Sequence, residues 1–193
     1  MIQNDPAHDF QHVMRVYKNA EFLCENESVD KTLVLMAVLL HDIVSLPKSD
    51  KRSTESADKS AQKAKLILKN YSLTDSEVNI VIDAIKNHSF SKGKTPNSIE
   101  GKILQDADRL DALGSIGIAR AFSVGGNEKR KLYNPKDPLC TSRNPDDKKW
   151  TLDHFYKKLL ILDSLMNTKT GKKEAKRRIR FMKNFLTELY REV

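Results

Sequence analysis

Cysteine is scarce in this 193-residue chain: there are two, Cys24 and Cys140, far apart and outside any CxxC pair. That excludes a disulfide framework and a thiolate zinc site, and points to a reducing compartment. Glycine (7) and proline (6) are also sparse, which disfavours a turn-rich β-protein and favours a helical one. The longest apolar run, Leu33 to Leu40, is far below the ~20 residues a bilayer requires. The start, Met1 to Pro6, lacks the charged segment and apolar stretch of a signal peptide, so a cytoplasmic location is expected.

The balance of 39% hydrophobic and 31% charged residues is that of a globular chain, and 22.0 kDa suits a single domain over 1–193. The formal charge is +8 and the pI about 9.4, a balance that favours an anionic partner. Much of the excess lies in Lys169–Lys183. That run reads as a solvated helix face. No aromatic platform or zinc-finger spacing accompanies it, so nucleic acid is not expected as a partner.

Apolar spacings of three and four residues predict a succession of helices. The first covers 8–25. The second, Thr32–Ile43, is capped by Asp30 and apolar nearly all round, as suits the centre of a domain, and Pro47 closes it. A third covers Ala57–Asn70, with Ala61, Ala64, Ile67 and Leu68 inward. Thr74-Asp75-Ser76-Glu77 is a capping-box start for a fourth, which runs to His88. A fifth (Ile99–Leu113) is separated by Gly114-Ser115 from a sixth (Ile116–Val124), which Gly125-Gly126 ends. Polar loops at 44–56 and 89–98 interrupt the series. The stretch 127–149, with three prolines, is either a functional loop or a surface excursion. Two closing helices, Trp150–Met166 and Lys172–Glu192, complete an all-α fold with a core over about 8–126.

His41-Asp42, at the tip of the apolar second helix, is the most informative feature. An ionised carboxylate beside an imidazole in a low-dielectric site costs several kcal/mol unless both are paired or bound to a cation. A divalent ion removes that cost. A surface helix end is the plainer alternative. Support comes from Gln105–Ala112, where Asp108 and Asp111 lie three apart beside the apolar face of Ile103, Ala107, Leu110 and Leu113. Pairing with Arg109 and neighbouring lysines is the alternative there.

Three segments, His8-Asp-Phe-Gln-His12-Val-Met-Arg15-Val, Leu-Leu-His41-Asp42-Ile and Asp-Ala-Asp108-Arg-Leu-Asp111, stand in the order and spacing of one known signature. The chain resembles the HD superfamily of metal-dependent phosphohydrolases, in its stand-alone bacterial form. The resemblance spans essentially the whole chain and implies an all-α helical bundle. By position it makes His12, His41, Asp42 and Asp108 the metal ligands, with His8, one turn earlier, as competitor for His12. It implies one divalent ion, Mn2+ or Mg2+ first, with Co2+, Ni2+, Fe2+ and Zn2+ open. The attacking group would be a metal-bound hydroxide, with Asp111 or a ligand carboxylate accepting the proton. His88, Lys92, Arg15 and Arg109 would hold phosphate oxygens. His154 matches no part of the pattern.

In two respects the chain departs from relatives. Ile43-Val44-Ser45-Leu46 follows His-Asp where the alarmone hydrolases carry an acidic pair, and the extra histidines of binuclear relatives are missing. The expected substrate is a small phosphorylated molecule of nucleotide type. The competing reading is a sensor that binds metal and nucleotide without turnover.

Overall fold

A computed structural model describes residues 9–46, 52–89 and 92–193. Pro47 and Lys48 to Lys51 of the polar loop lie outside the described residues, as do Phe90 and Ser91. The regular structure is helical: α1 (Phe10–Cys24), α2 (Lys31–Leu40), α3 (Ser56–Leu68), α4 (Asp75–Asn87), α5 (Ile99–Asp111), α6 (Gly114–Asn127), α7 (Asp153–Lys157) and α8 (Lys169–Arg191). Short 3-10 segments precede α3 (Ser53–Glu55) and follow α7 (Leu159–Leu165). Among the described residues the sole β feature is an isolated bridge between Lys131 and Trp150, and no helix is long and apolar enough to cross a membrane.

The chain forms two compact units, 1–109 and 110–193. In the first, α1 packs on α2, α2 on α4 and α3 on α4. Many of the buried residues of these helices are alanines: Ala20, Ala37, Ala61, Ala64 and Ala84 are fully buried. Small side chains bring helix axes close and leave less room for bulky side chains. Larger residues, Val16, Leu23, Val34, Val38, Val81 and Ile85, fill the rest.

Side-chain caps define where the helices start. Asp9 accepts a 2.8 Å bond from the His12 amide and starts α1 just before that histidine. Asp30 takes the amides of Thr32 and Leu33 and starts α2. Thr74 and Glu77 form the reciprocal capping box of α4. The second helix stops short of the expected end at Ile43. It ends at Leu40, His41 is its C-cap, and Leu39 is about half exposed, so α2 is not apolar-packed on every side.

The second unit is built on α6, α8 and the 3-10 segment, with the rings of Phe122, Phe155 and Phe185 in mutual contact at 5.9–6.3 Å. Three sequence expectations are corrected here. Gly125-Gly126 does not end α6, which continues to Asn127. Gly125 instead marks a close approach: a Cβ there would lie 2.2 Å from Thr151 Oγ1. The closing helix Trp150–Met166 is broken at Lys158 into α7 and the 3-10 segment. The last helix begins at Lys169, earlier than expected, because the Thr168 hydroxyl caps it by accepting the Gly171 amide.

The stretch 127–149 is held by a buried polar network. The Asp137 carboxylate accepts from the amides and hydroxyls of Thr141 and Ser142. Arg143 donates to the fully buried Asp153, Nη2 to Oδ1 at 2.8 Å, and the Asp146 amide donates to the same carboxylate. Burial pushes the Asp153 carboxyl up, but the Arg143 and Asp146 donors outweigh it and hold the group below the ordinary aspartate value.

Two outcomes follow for stability. Gly125→Ala should lower the unfolding free energy by about 2 kcal/mol through overpacking, and adding Thr151→Ala should recover part of it in thermal unfolding. Asp153→Asn should cost about 3 kcal/mol at neutral pH, because it leaves Arg143 without its buried partner. A depressed folded-state value means that the stabilisation is fully present above the ordinary carboxylate value of about 4 and is lost below it, as pH falls through the lowered folded-state value. The gap between wild type and Asp153→Asn should therefore close on acidification; a constant gap would contradict the ion-pair account.

Candidate metal centre

Two helices end in the same way. The last carbonyls of a helix have no intrahelical donor. At the end of α2, His41 Nδ1 lies 2.6 Å from the Val38 carbonyl, and at the end of α4, His88 Nδ1 lies 2.7 Å from the Ile85 carbonyl. A carbonyl only accepts, so each Nδ1 carries the proton. In the neutral imidazole each Nε2 then presents its lone pair. One local bond caps the helix and sets the tautomer that a metal ligand needs.

These Nε2 atoms meet two carboxylates and a third imidazole. His12, in the first turn of α1, is fully buried; its Nε2 lies 3.5 Å from Asp108 Oδ1 and 3.8 Å from Asp42 Oδ2. His41 Nε2 is 3.7 Å from Asp42 Oδ2, and His88 Nε2 is 3.7 Å from Asp42 Oδ1. The ring of His41 stands 5.5 Å from that of His12 and 5.0 Å from that of His88. His12, His41 and Asp42 each offer a ligand atom, all within 4.8 Å of one another. These gaps exceed hydrogen-bond length. They match the spacing of about 3–4 Å between atoms that each lie about 2 Å from one ion.

The donor set fits a divalent cation on a second count. His41 Nε2 is buried with no hydrogen-bond partner, an uncompensated lone pair inside the protein. Electrostatics agree. Burial pushes the Asp108 carboxyl up, yet the imidazoles of His12, His88 and His41 together hold it below its ordinary value. Burial, reinforced by His41, pushes the His88 imidazole down, against the opposing pull of Asp42 and Asp108.

Asp108 arrives on α5, and two buried amides place that helix. Asn19 Nδ2 donates to the Ala107 carbonyl at 3.1 Å. Gln105 Nε2 donates to the carbonyls of Asn87 and Lys94 at 2.9 and 2.8 Å, tying α5 to the end of α4 beside His88. Gly101 lets α5 approach closely, since a Cβ there would lie 2.5 Å from Pro96 Cβ and 3.3 Å from Ala84 Cα. The sequence reading passed over Asn19 and Gln105. A signal for Asn19 was present: it lies seven residues after His12, two turns along the same helix face.

Of the remaining expected site residues, Asp111 is buried and ion-paired with Arg120. Lys92 is bonded to Asp58 at 2.7 Å. Arg109 is half-buried, and burial pulls its guanidinium below the ordinary value while Asp106 and Asp108 raise it. Arg15 is half-buried on α1. His154 is paired with Asp147 at 3.1 Å. His8 lies outside the described residues.

A helical unit with histidines and aspartates gathered in this way defines a class. Residues 9–113 match the HD domain, and the chain belongs to the HD family of metal-dependent phosphohydrolases. It is 34% identical over 191 residues to YpgQ of Bacillus subtilis (strain 168), covering 97% of this chain and 85% of YpgQ. The crystal structure of YpgQ in complex with ADP has a TM-score of 0.74 at 32% identity, covering 98% of this chain and 88% of that one. An HD-superfamily hydrolase from Bacillus thuringiensis has a TM-score of 0.73 at 38% identity, covering 96% of this chain and 86% of its own.

Proposed function

We propose that this hydrolase cleaves a phosphoester or phosphoanhydride bond of a nucleotide, with one divalent ion held by His12, His41, Asp42 and Asp108. The observation that carries the reading is the buried, unbonded Nε2 of His41, set among carboxylate oxygens at ion-spanning distances. ADP bound to YpgQ supports the nucleotide part. Two imidazoles with two carboxylates suit Mn2+ or Mg2+, with Co2+, Ni2+, Fe2+ and Zn2+ as other borderline ions. Such an ion supplies Lewis acidity: it neutralises phosphoryl charge and makes water more acidic.

The remaining side chains divide the work. His88, its Nδ1 committed to Ile85, offers Nε2 as an acceptor toward water or substrate beside Asp42. Arg15 and Arg109 supply positive charge for the phosphate oxygens. Lys92 reaches substrate only on leaving Asp58. Asp111 is engaged by Arg120, and we assign it a positioning role at the end of α5.

Two measurements test this. Phosphate and pyrophosphate release should be followed over nucleoside mono-, di- and triphosphates with Mn2+, Mg2+, Co2+ and Ni2+. Metal-dependent release from at least one nucleotide is the expected result; metal and nucleotide binding without release would identify a sensor instead. Excess metal should also raise the stability of the wild type, by about 2.7 kcal/mol at a hundredfold excess over Kd. A folded Asp42→Ala protein should show neither the shift nor turnover. Full metal-dependent activity in that variant would overturn the assignment.

A further inference from the structure

The net positive charge is confined to one unit. Residues 110–193 hold 19 Lys and Arg against 10 Asp and Glu, whereas residues 1–109, which contain the metal centre, hold 15 against 16. Within the second unit the excess concentrates on α8. Its buried side is Gly171, Ala175, Ile179, Met182 and Leu186. Its exposed side carries Lys169, Lys172, Lys173, Lys176, Arg180 and Lys183. At 100° per residue these six fall in one arc of the helix surface, and at 1.5 Å per residue they span about 21 Å. Among the described residues, no carboxylate is in ion-pair distance of any of the six; Glu174, about 100° around the helix from the edge of the arc, is taken by Arg177 and Arg178.

A solvated surface helix ordinarily intersperses both signs. Six cations in a row without an acid raise the local potential and hold a counterion layer, which a polyanion releases on binding. Two features choose among anionic partners. The apolar side of α8 is buried in its own unit, so the helix has no continuous apolar face to lay into a lipid surface. Phe181, about half exposed, lies one turn beyond Arg177 and about 80° around the helix from the edge of the row, and offers a ring on which a base can stack. The run thus carries an exposed aromatic that the sequence reading overlooked.

We propose that the exposed face of α8 is a docking surface for the sugar-phosphate backbone of a nucleic acid. Recognition is electrostatic and independent of base sequence, because five of the six cations are lysines, point charges on flexible stems suited to phosphates rather than base edges. The surface is separate in kind from the metal centre, whose ligands all lie in the other unit.

The test uses the full chain and two variants of equal charge. One replaces Lys172, Lys173, Lys176 and Arg180 with Gln; the control replaces Lys63, Lys129, Lys136 and Lys148, exposed residues elsewhere. Binding to fluorescein-labelled 20-nucleotide single strands and to the duplex is measured from about 50 to 200 mM salt, the range over which backbone contacts weaken most visibly. Wild type and control should bind with a steep salt dependence. The α8 variant should lose about tenfold or more in affinity at low salt, and its log–log slope should be shallower by about 3. Phe181→Ala should weaken single-strand binding more than duplex binding. Equal loss in control and α8 variants would reduce the effect to net charge and overturn the proposal. So would absence of oligonucleotide binding, or binding instead to phosphatidylserine-containing vesicles alone. Unchanged thermal unfolding in both variants shows that the fold is intact, so that either result stands.

Discussion

The metal centre depends on a constraint that belongs to helices in general: a helix cannot satisfy its own last carbonyls. Here two of them, Val38 and Ile85, are satisfied by histidine Nδ1 atoms. That bond ends the helix, removes a buried unpaired acceptor and turns Nε2 outward from the helix end with its lone pair available. The same few atoms therefore serve stability and ligation. Asp9 plays the matching part at the other type of helix end, capping α1 through the amide of His12.

Gathering three imidazoles and two carboxylates in the protein interior carries a desolvation penalty that their mutual contacts only partly offset. Attraction from the imidazoles keeps the Asp108 carboxyl below its ordinary value in spite of burial. His41 Nε2 is left without a hydrogen bond. A structure keeps such a penalty only when rigid surroundings enforce it, and here they do. Asn19 on α1 donates to a carbonyl of α5, Gln105 on α5 donates to a carbonyl at the end of α4, and fully buried alanines line these helices. The centre is preorganised by its scaffold.

The second unit solves a different problem. A long stretch with few helix formers is ordered by Asp137 and Asp153, carboxylates that accept from backbone amides, hydroxyls and Arg143. These bonds replace the regular ladders that the stretch lacks. The aromatic contacts of Phe122, Phe155 and Phe185 and the apolar side of α8 supply the burial, which leaves the basic side of α8 to solvent.

What could be read from the sequence was whatever is decided within three or four residues. Asp30 as the start of α2, the Thr74–Glu77 box, the inward alanines of α3 and the all-α character are of this kind, because caps and apolar periodicity act over one helical turn. Of the residues that gather at the centre, His41, Asp42 and Asp108 were legible because acids and histidines beside apolar faces are costly without a partner, whereas His12 and His88 were legible only through the resemblance to the HD superfamily. Tertiary structure alone decided what lies opposite each side chain. It turned Asp111 toward Arg120 and Lys92 toward Asp58, carried α6 through Gly125-Gly126 against Thr151, and broke the segment after α7. It also brought His12, His41, His88, Asp42 and Asp108 together from four helices and their ends. Those outcomes depend on contacts between residues distant in the chain, which no local pattern encodes.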